Sequence, residues 1–244
     1  MIFRAIECKS GLRIEKMKRI FIYSYNLELG GVERSLIGLL QAIDPTLFHI
    51  DLFLAKHEGE LIKDIPSYVN LLPVDNRYQA FGIPLKDAFK QGFIYEAVTR
   101  LYAKIANKLM RTIKRDPAIS LESFIYHKLI IKRMVPQDNK YDLAISFAMP
   151  YFYVLSKVNA KKKIGWIHTD YSKININSKS IRNMFKEIDA VACVSEAVKN
   201  SLLHAQLNVD QQKCFVFEKR RTRCCYSKFN YRKNGNCKNQ RRRY

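Results

Sequence analysis

The sequence predicts an α/β fold in which a mostly parallel sheet carries helices on both faces. Three observations predict it. Short runs rich in β-branched and aromatic residues alternate with stretches of helical period along most of the chain. The first run, Arg19–Tyr25, passes through a polar loop and the pair Gly30-Gly31 into an apolar-periodic segment. Near the other end, AVACVSEAVKNSLL passes from strand to helix with Ser195 placed as N-cap. Glu196 then falls in the first turn, where the helix dipole favours a negative charge.

Taken in order, residues 1–16 show no period and read as an extension ahead of Met17. Arg19–Tyr25 is the first strand. Gly31–Ala42 is the first helix, because Val32, Leu36, Leu39, Leu40 and Ile43 recur on one helical face. His49–Ala55 is the second strand, Glu58–Asp64 a short helix and Val69–Val74 the third strand. The stretch 85–135 breaks the alternation and reads as two helices, Leu85–Lys114 and Ile119–Val135. It holds eleven Lys or Arg against Asp87, Glu96, Asp116 and Glu122. Phe89, Phe93, Ala97, Leu101, Ile105 and Leu109 form an i+4 row, with basic residues on the other faces. One reading is a helical insertion packed on the domain with a solvated basic side. The other is a helix pair resting on an anionic membrane surface. Alternation resumes with strands at Tyr141–Phe147, Lys163–His168, Ala190–Ser195 and Cys214–Phe217, and helices at Tyr151–Val158, Ser178–Glu187 and Glu196–His204.

Composition bounds the function. The chain has 244 residues, 48% of them hydrophobic, enough for a real core. No apolar run approaches the roughly 20 residues that cross a bilayer. MIFRAIECKSGLRIEK carries charges within its only apolar stretch, unlike a signal peptide. A cytoplasmic location is therefore expected. The six cysteines make no CxxC pair, so no metal site is expected, and Cys193 and Cys214 read as buried small hydrophobes.

The net charge is +21, yet eleven of the 43 Lys and Arg lie in residues 219–244, which hold no Asp or Glu. Residues 1–218 therefore carry 32 basic against 22 acidic groups. The tail interleaves arginine with tyrosine and phenylalanine, and it has no apolar period, so it reads as disordered. Nucleic-acid binding through it is the alternative function. That partner is disfavoured, because the body shows no recognition helix or RNP-like strand. The loss of every acidic residue after Glu218 also fits a tail read out of frame; for one choice of codons, a one-base shift turns Lys-Arg-Arg-Thr-Arg-Cys-Cys into Asn-Val-Glu-Leu-Asp-Val.

In an open α/β sheet, ligands bind outside the carboxyl ends of the strands. Gly30-Gly31, His168 and Ser195 all fall there. Glycines at a helix start present free N–H groups and the positive dipole end, a seat for phosphate or sugar hydroxyls; the plain alternative is a tight turn. There is no GxGxxG and no GxxxxGK[ST], which removes a dinucleotide fingerprint and a P-loop. His168 ends a strand and is the candidate catalytic residue, with Asp170 two residues on as a candidate binding group; the plain alternative is a histidine satisfied by local backbone. Thr169 and Ser172 are weaker candidates, and Glu33 and Arg34 open the first helix.

These residues resemble a known family. RIFIYSYNLELGGVERSLIGLLQAID is similar to the start of the GT-B glycosyltransferases of family 4, in which the first strand leads into a Gly-Gly loop and then xERxLxxLxxAL. HIDLFLAKHEGELIKDIP resembles their second strand and helix, and KKIGWIHTDYS their strand ending in His. DAVACVSEAVKNSLL resembles their D-x-hydrophobic-x-x-S-E unit, and KCFVFE the strand before an Asn-rich hinge. The likeness covers residues 18 to about 218.

It implies a Rossmann-like, acceptor-binding N-terminal domain of a two-domain retaining enzyme that uses a nucleotide-sugar co-substrate, usually without metal or other cofactor. Gly30 and Gly31 would lie near donor phosphates and acceptor, and His168 near the transferred sugar, with Ser195 a weaker contact. The acceptor would be a sugar or lipid-linked sugar of a cell-surface glycan or glycolipid, met at the inner membrane face. The family's donor domain carries an E-x7-E pair, and nothing after Phe217 supplies it. The expectation is a truncated and inactive chain.

Overall fold

The computed structural model describes residues 17–75, 77, 83–114, 121–173, 178–205 and 207–217. The expected 1–16 extension and 219–244 tail lie outside these residues.

Seven strands form one sheet, and every neighbouring pair is parallel. They are β1 (Lys18–Ser24), β2 (Phe48–Leu54), β3 (Val69–Leu71), β4 (Gln137–Ser146), β5 (Val158–Ile167), β6 (Ala190–Cys193) and β7 (Cys214–Val216). The spatial order is β3-β2-β1-β4-β5-β6-β7. The chain winds outward from β1 to β3, then returns to lay β4 on the other side of β1. This is the doubly wound, Rossmann-like arrangement, and its direction of winding reverses between β1 and β4.

Both faces of the sheet are apolar, as a parallel sheet covered on both sides requires. Ile20 and Ile22 of β1 point to one face, where they meet Leu36, Leu39 and Leu40 of α1 (Gly31–Ala42). Phe21 and Tyr23 point to the other, against Phe53, Tyr141 and Tyr153. Tyr153 lies in α5 (Phe152–Lys157), and its ring stacks on Phe53 at 4.8 Å. A further cluster joins α6 (Ser178–Glu187) and α7 (Glu196–His204) to β6 through Ile181, Met184, Phe185, Val198 and Leu202. Cys193 and Cys214 are buried in it as small apolar groups, and burial pushes the Cys193 thiol up to about 12.

One carboxylate interrupts the apolar layer. Asp51 of β2 is fully buried and accepts from Asn70 Nδ2 (2.6 Å), Tyr141 Oη (2.8 Å) and the Arg19 guanidinium (3.0 Å), with His49 Nε2 at 3.1 Å. Burial acts to raise its pKa, but the Asn70 and Tyr141 hydrogen bonds and the His49 and Arg19 charges win, and the pKa is lowered.

The 85–135 stretch departs from the sequence reading. The expected single helix Leu85–Lys114 is two, α2 (Leu85–Lys90) and α3 (Ile94–Lys114). Gly92 takes φ +80°, the Gly92 N–H donates to Phe89 O and the Phe93 N–H to Ala88 O. That is the Schellman stop, which ends a helix at a left-handed glycine. Helix α4 (Leu121–Ile130) packs against α3, with Ala103, Tyr126 and Ile130 buried between them. Among the described residues no helix is long and apolar enough to cross a membrane.

Candidate functional site

Because all strands run the same way, the loops after β1, β4, β5 and β6 emerge on one edge of the sheet. Gly30 and Gly31 follow β1, His168 and Asp170 follow β5, and Ser195 follows β6. With strands about 4.8 Å apart, β1 and β5 are separated by roughly 10 Å, with β4 between them.

The loop after β1 is held by backbone bonds. Leu27, fully buried, donates its N–H to Glu58 O (2.9 Å) and accepts from Leu61 N–H (3.0 Å). Tyr25 O accepts from Lys56 N–H (2.8 Å). Gly59 makes the close approach: its φ is +116°, and a Cβ there would fall on the Leu27 carbonyl and the Glu28 nitrogen. The loop then enters α1 at Gly30, which is extended (φ −142°, ψ 167°), a conformation open to any residue. Gly31 has no neighbour within 4 Å of the place a Cβ would take. Neither a positive φ nor tight packing accounts for the double glycine. At Gly30 the only crowding is the Glu33 carboxylate, whose flexible side chain lies back over the helix start. Arg34 is exposed.

Phe147, just past β4, ties the two sides of the rim together. Its N–H donates to Tyr23 O (2.8 Å), and its ring lies 5.1 Å from the His168 imidazole and 4.5 Å from the Trp166 indole. The Trp166 and His168 rings are stacked nearly parallel with centroids 6.3 Å apart, and Phe217 meets Trp166 edge-on at 4.9 Å. His168 thus sits at the end of an aromatic stack. Its Nε2 is buried and has no hydrogen-bond partner among the described residues, and the same holds for Trp166 Nε1. Burial pushes the imidazole down to about 4. It is therefore neutral near pH 7, with one ring nitrogen donating and the other accepting. In the sequence Phe147 and Trp166 look like ordinary strand residues; an aromatic at or near a strand's carboxyl end is the signal that marks them.

The other candidates have local work. Asp170 accepts from Ser172 N–H (3.0 Å) and Ser172 Oγ (2.7 Å), forming an Asx turn. Ser195 is the N-cap of α7, its Oγ accepting from Val198 N–H (3.2 Å). Thr169 and Ser172 are exposed. Among the described residues no group of three or more His, Cys, Asp or Glu is placed to hold a metal ion.

The class defined here is a doubly wound parallel α/β protein with a rim of loops at its switch point. No family model and no curated protein matches the chain. Among solved structures it is similar to Anabaena HepE in complex with UDP-glucose, at a TM-score of 0.41 and 13% identity, over 82% of this chain and 43% of that one. The chain thus spans less than half the length of that protein.

Proposed function

We propose that residues 17–218 are the acceptor-binding, Rossmann-like half of a family 4-type GT-B glycosyltransferase. The enzyme would move a sugar, with retention, from a nucleotide-sugar donor to a glycan or lipid-linked acceptor. The observation that supports this reading is the pairing on one rim of an open Gly31 at a helix start with the unpartnered Nε2 of His168. In this reading the N–H groups of Gly30 and Gly31 face phosphate or sugar oxygens. His168 hydrogen-bonds a hydroxyl of the transferred sugar while neutral, and the buried ring stack fixes its plane. Asp170 and Ser195 line the same rim at its β5 and β6 ends. A polypeptide of residues 1–244 offers one wall of the cleft and gives no transfer from a radiolabelled UDP-sugar by itself; turnover by the purified chain would overturn that part.

The test of the site is a chemical-shift titration of the His168 imidazole with UDP-glucose as probe. The expected result is a saturable shift that disappears in Gly31→Val while the unfolding midpoint stays unchanged. A His168 signal that does not move, or that moves equally in Gly31→Val, refutes the assignment.

A further inference from the structure

We propose that the outward face of α3 is a docking surface for an anionic lipid bilayer, with the helix lying along the headgroup layer. Helix α3 is turned inside out relative to the helix that usually covers a core. Among its described side chains, those it buries are Glu96, Ala97, Thr99 and Ala103, which are small or polar. The residues it exposes are its large apolar ones: Ile94, Val98, Leu101, Tyr102, Ile105 and Leu109 are between 43% and 61% exposed. At 100° per residue these six fall within a sector of about 100°, forming a ridge about 22 Å long.

The charge beside the ridge selects the occupant. Lys104 and Lys108 run along one edge of it and are exposed. Helix α2, which packs on α3, also exposes Lys86, Lys90 and Phe89. Among the described residues of α2 and α3 no carboxylate is exposed: Asp87 is half-buried and Glu96 is buried. A second copy of the chain pressed on this face would meet like charge with no acid to receive the lysines. An anionic headgroup layer suits both features, because the acyl boundary takes the ridge and the phosphates take the ammonium groups.

The inner side of α3 reaches the rim. The Tyr25 phenol, in the loop after β1, is pushed up to about 12 by burial and by Glu58, and Arg100 of α3 opposes that rise. The inference stands on α3 itself and does not depend on what the rim binds.

Sedimentation of the full chain with phosphatidylcholine vesicles, with and without phosphatidylglycerol, tests it. Binding is expected only to the anionic vesicles. Lys104→Glu and Lys108→Glu, each reversing a charge, weaken it by at least about fivefold, and Ile105→Glu weakens it by at least about fivefold as well. In a Tyr102→Trp variant, the added indole emission shifts to the blue with anionic vesicles and is quenched by brominated lipid. Absence of vesicle binding overturns the proposal. Binding that Ile105→Glu leaves unchanged also overturns it, since the basic residues beyond 218 would then be responsible. A dimer in light scattering that Ile105→Glu dissolves overturns it in favour of self-association.

Discussion

Gly59→Ala tests whether the rim loop is positioned by backbone contact. At φ +116°, ψ 151°, Gly59 occupies a region essentially restricted to glycine, where another residue costs about 1–3 kcal/mol. The new methyl group would fall on main-chain atoms of Leu27 and Glu28, which cannot rotate away as a side chain can. Relieving the clash moves Leu27 and loosens its bonds to Glu58 O and from Leu61 N–H, each contributing about 1 kcal/mol. The total is about 3–5 kcal/mol. For a domain of this size that lowers the melting temperature by about 10 °C. Thermal melts followed by circular dichroism measure it, with Gly31→Ala as the comparison. Gly31 has open space around it, so its alanine variant should stay within about 0.5 kcal/mol of the parent. Equal shifts in the two variants, or a Gly59→Ala loss below about 1 kcal/mol, would show that the loop is not held by this contact.

Three further outcomes are expected. A Cβ at Gly165 in β5 would enter the ring of fully buried Tyr151, whose hydroxyl donates to Trp166 O, so Gly165→Ala should cost about 1–3 kcal/mol in urea unfolding. Asp51→Ala strips the acceptor from Asn70, Tyr141 and Arg19 and should cost about 3–5 kcal/mol by the same measurement; an unchanged midpoint would mean the network contributes no net stability. His127 is buried in α4 and burial depresses it to about 4, so the folded state holds its proton less tightly than the unfolded chain, whose value is near 6.5. Its contribution is full above about pH 6.5 and is lost as the pH falls toward 4, on the order of 3 kcal/mol in all. Comparing unfolding free energies at neutral pH and near pH 4.5 in the parent and His127→Gln checks it, and a parent slope equal to that of the variant would refute it.

The strands were legible because a parallel sheet buried on both faces needs continuous apolar runs, and each of the seven runs became a strand. The starts of β4 and β5 were not. Both begin several residues earlier than read, at Gln137 and Val158, through polar stretches such as Asn159-Ala160-Lys161. There the two strands pair with each other, and exposed Lys161 joins the largely buried Asp142 across them at 2.7 Å, so strand pairing and an ion pair stand where apolar burial does elsewhere. Periodicity found the apolar stripe of α3 but carried no sign for its direction, because Glu96 and Thr99 look like surface residues and only the folded chain buries them. The edge on which Gly30, Gly31, His168 and Ser195 lie followed from strand direction alone. The contact of Gly59 with Leu27 did not, since it joins two loops that only tertiary structure brings together.

The sheet's outermost strands have a consequence for solubility. Among the described residues, β3 spans Val69–Leu71 and β7 spans Cys214–Val216, each three residues long, at the two ends of a sheet whose inner strands reach ten. A borrowed strand docking at either margin would find too few free amides and carbonyls to lock its register. This layer is thereby guarded against fibril-like growth by stacking copies edge to edge.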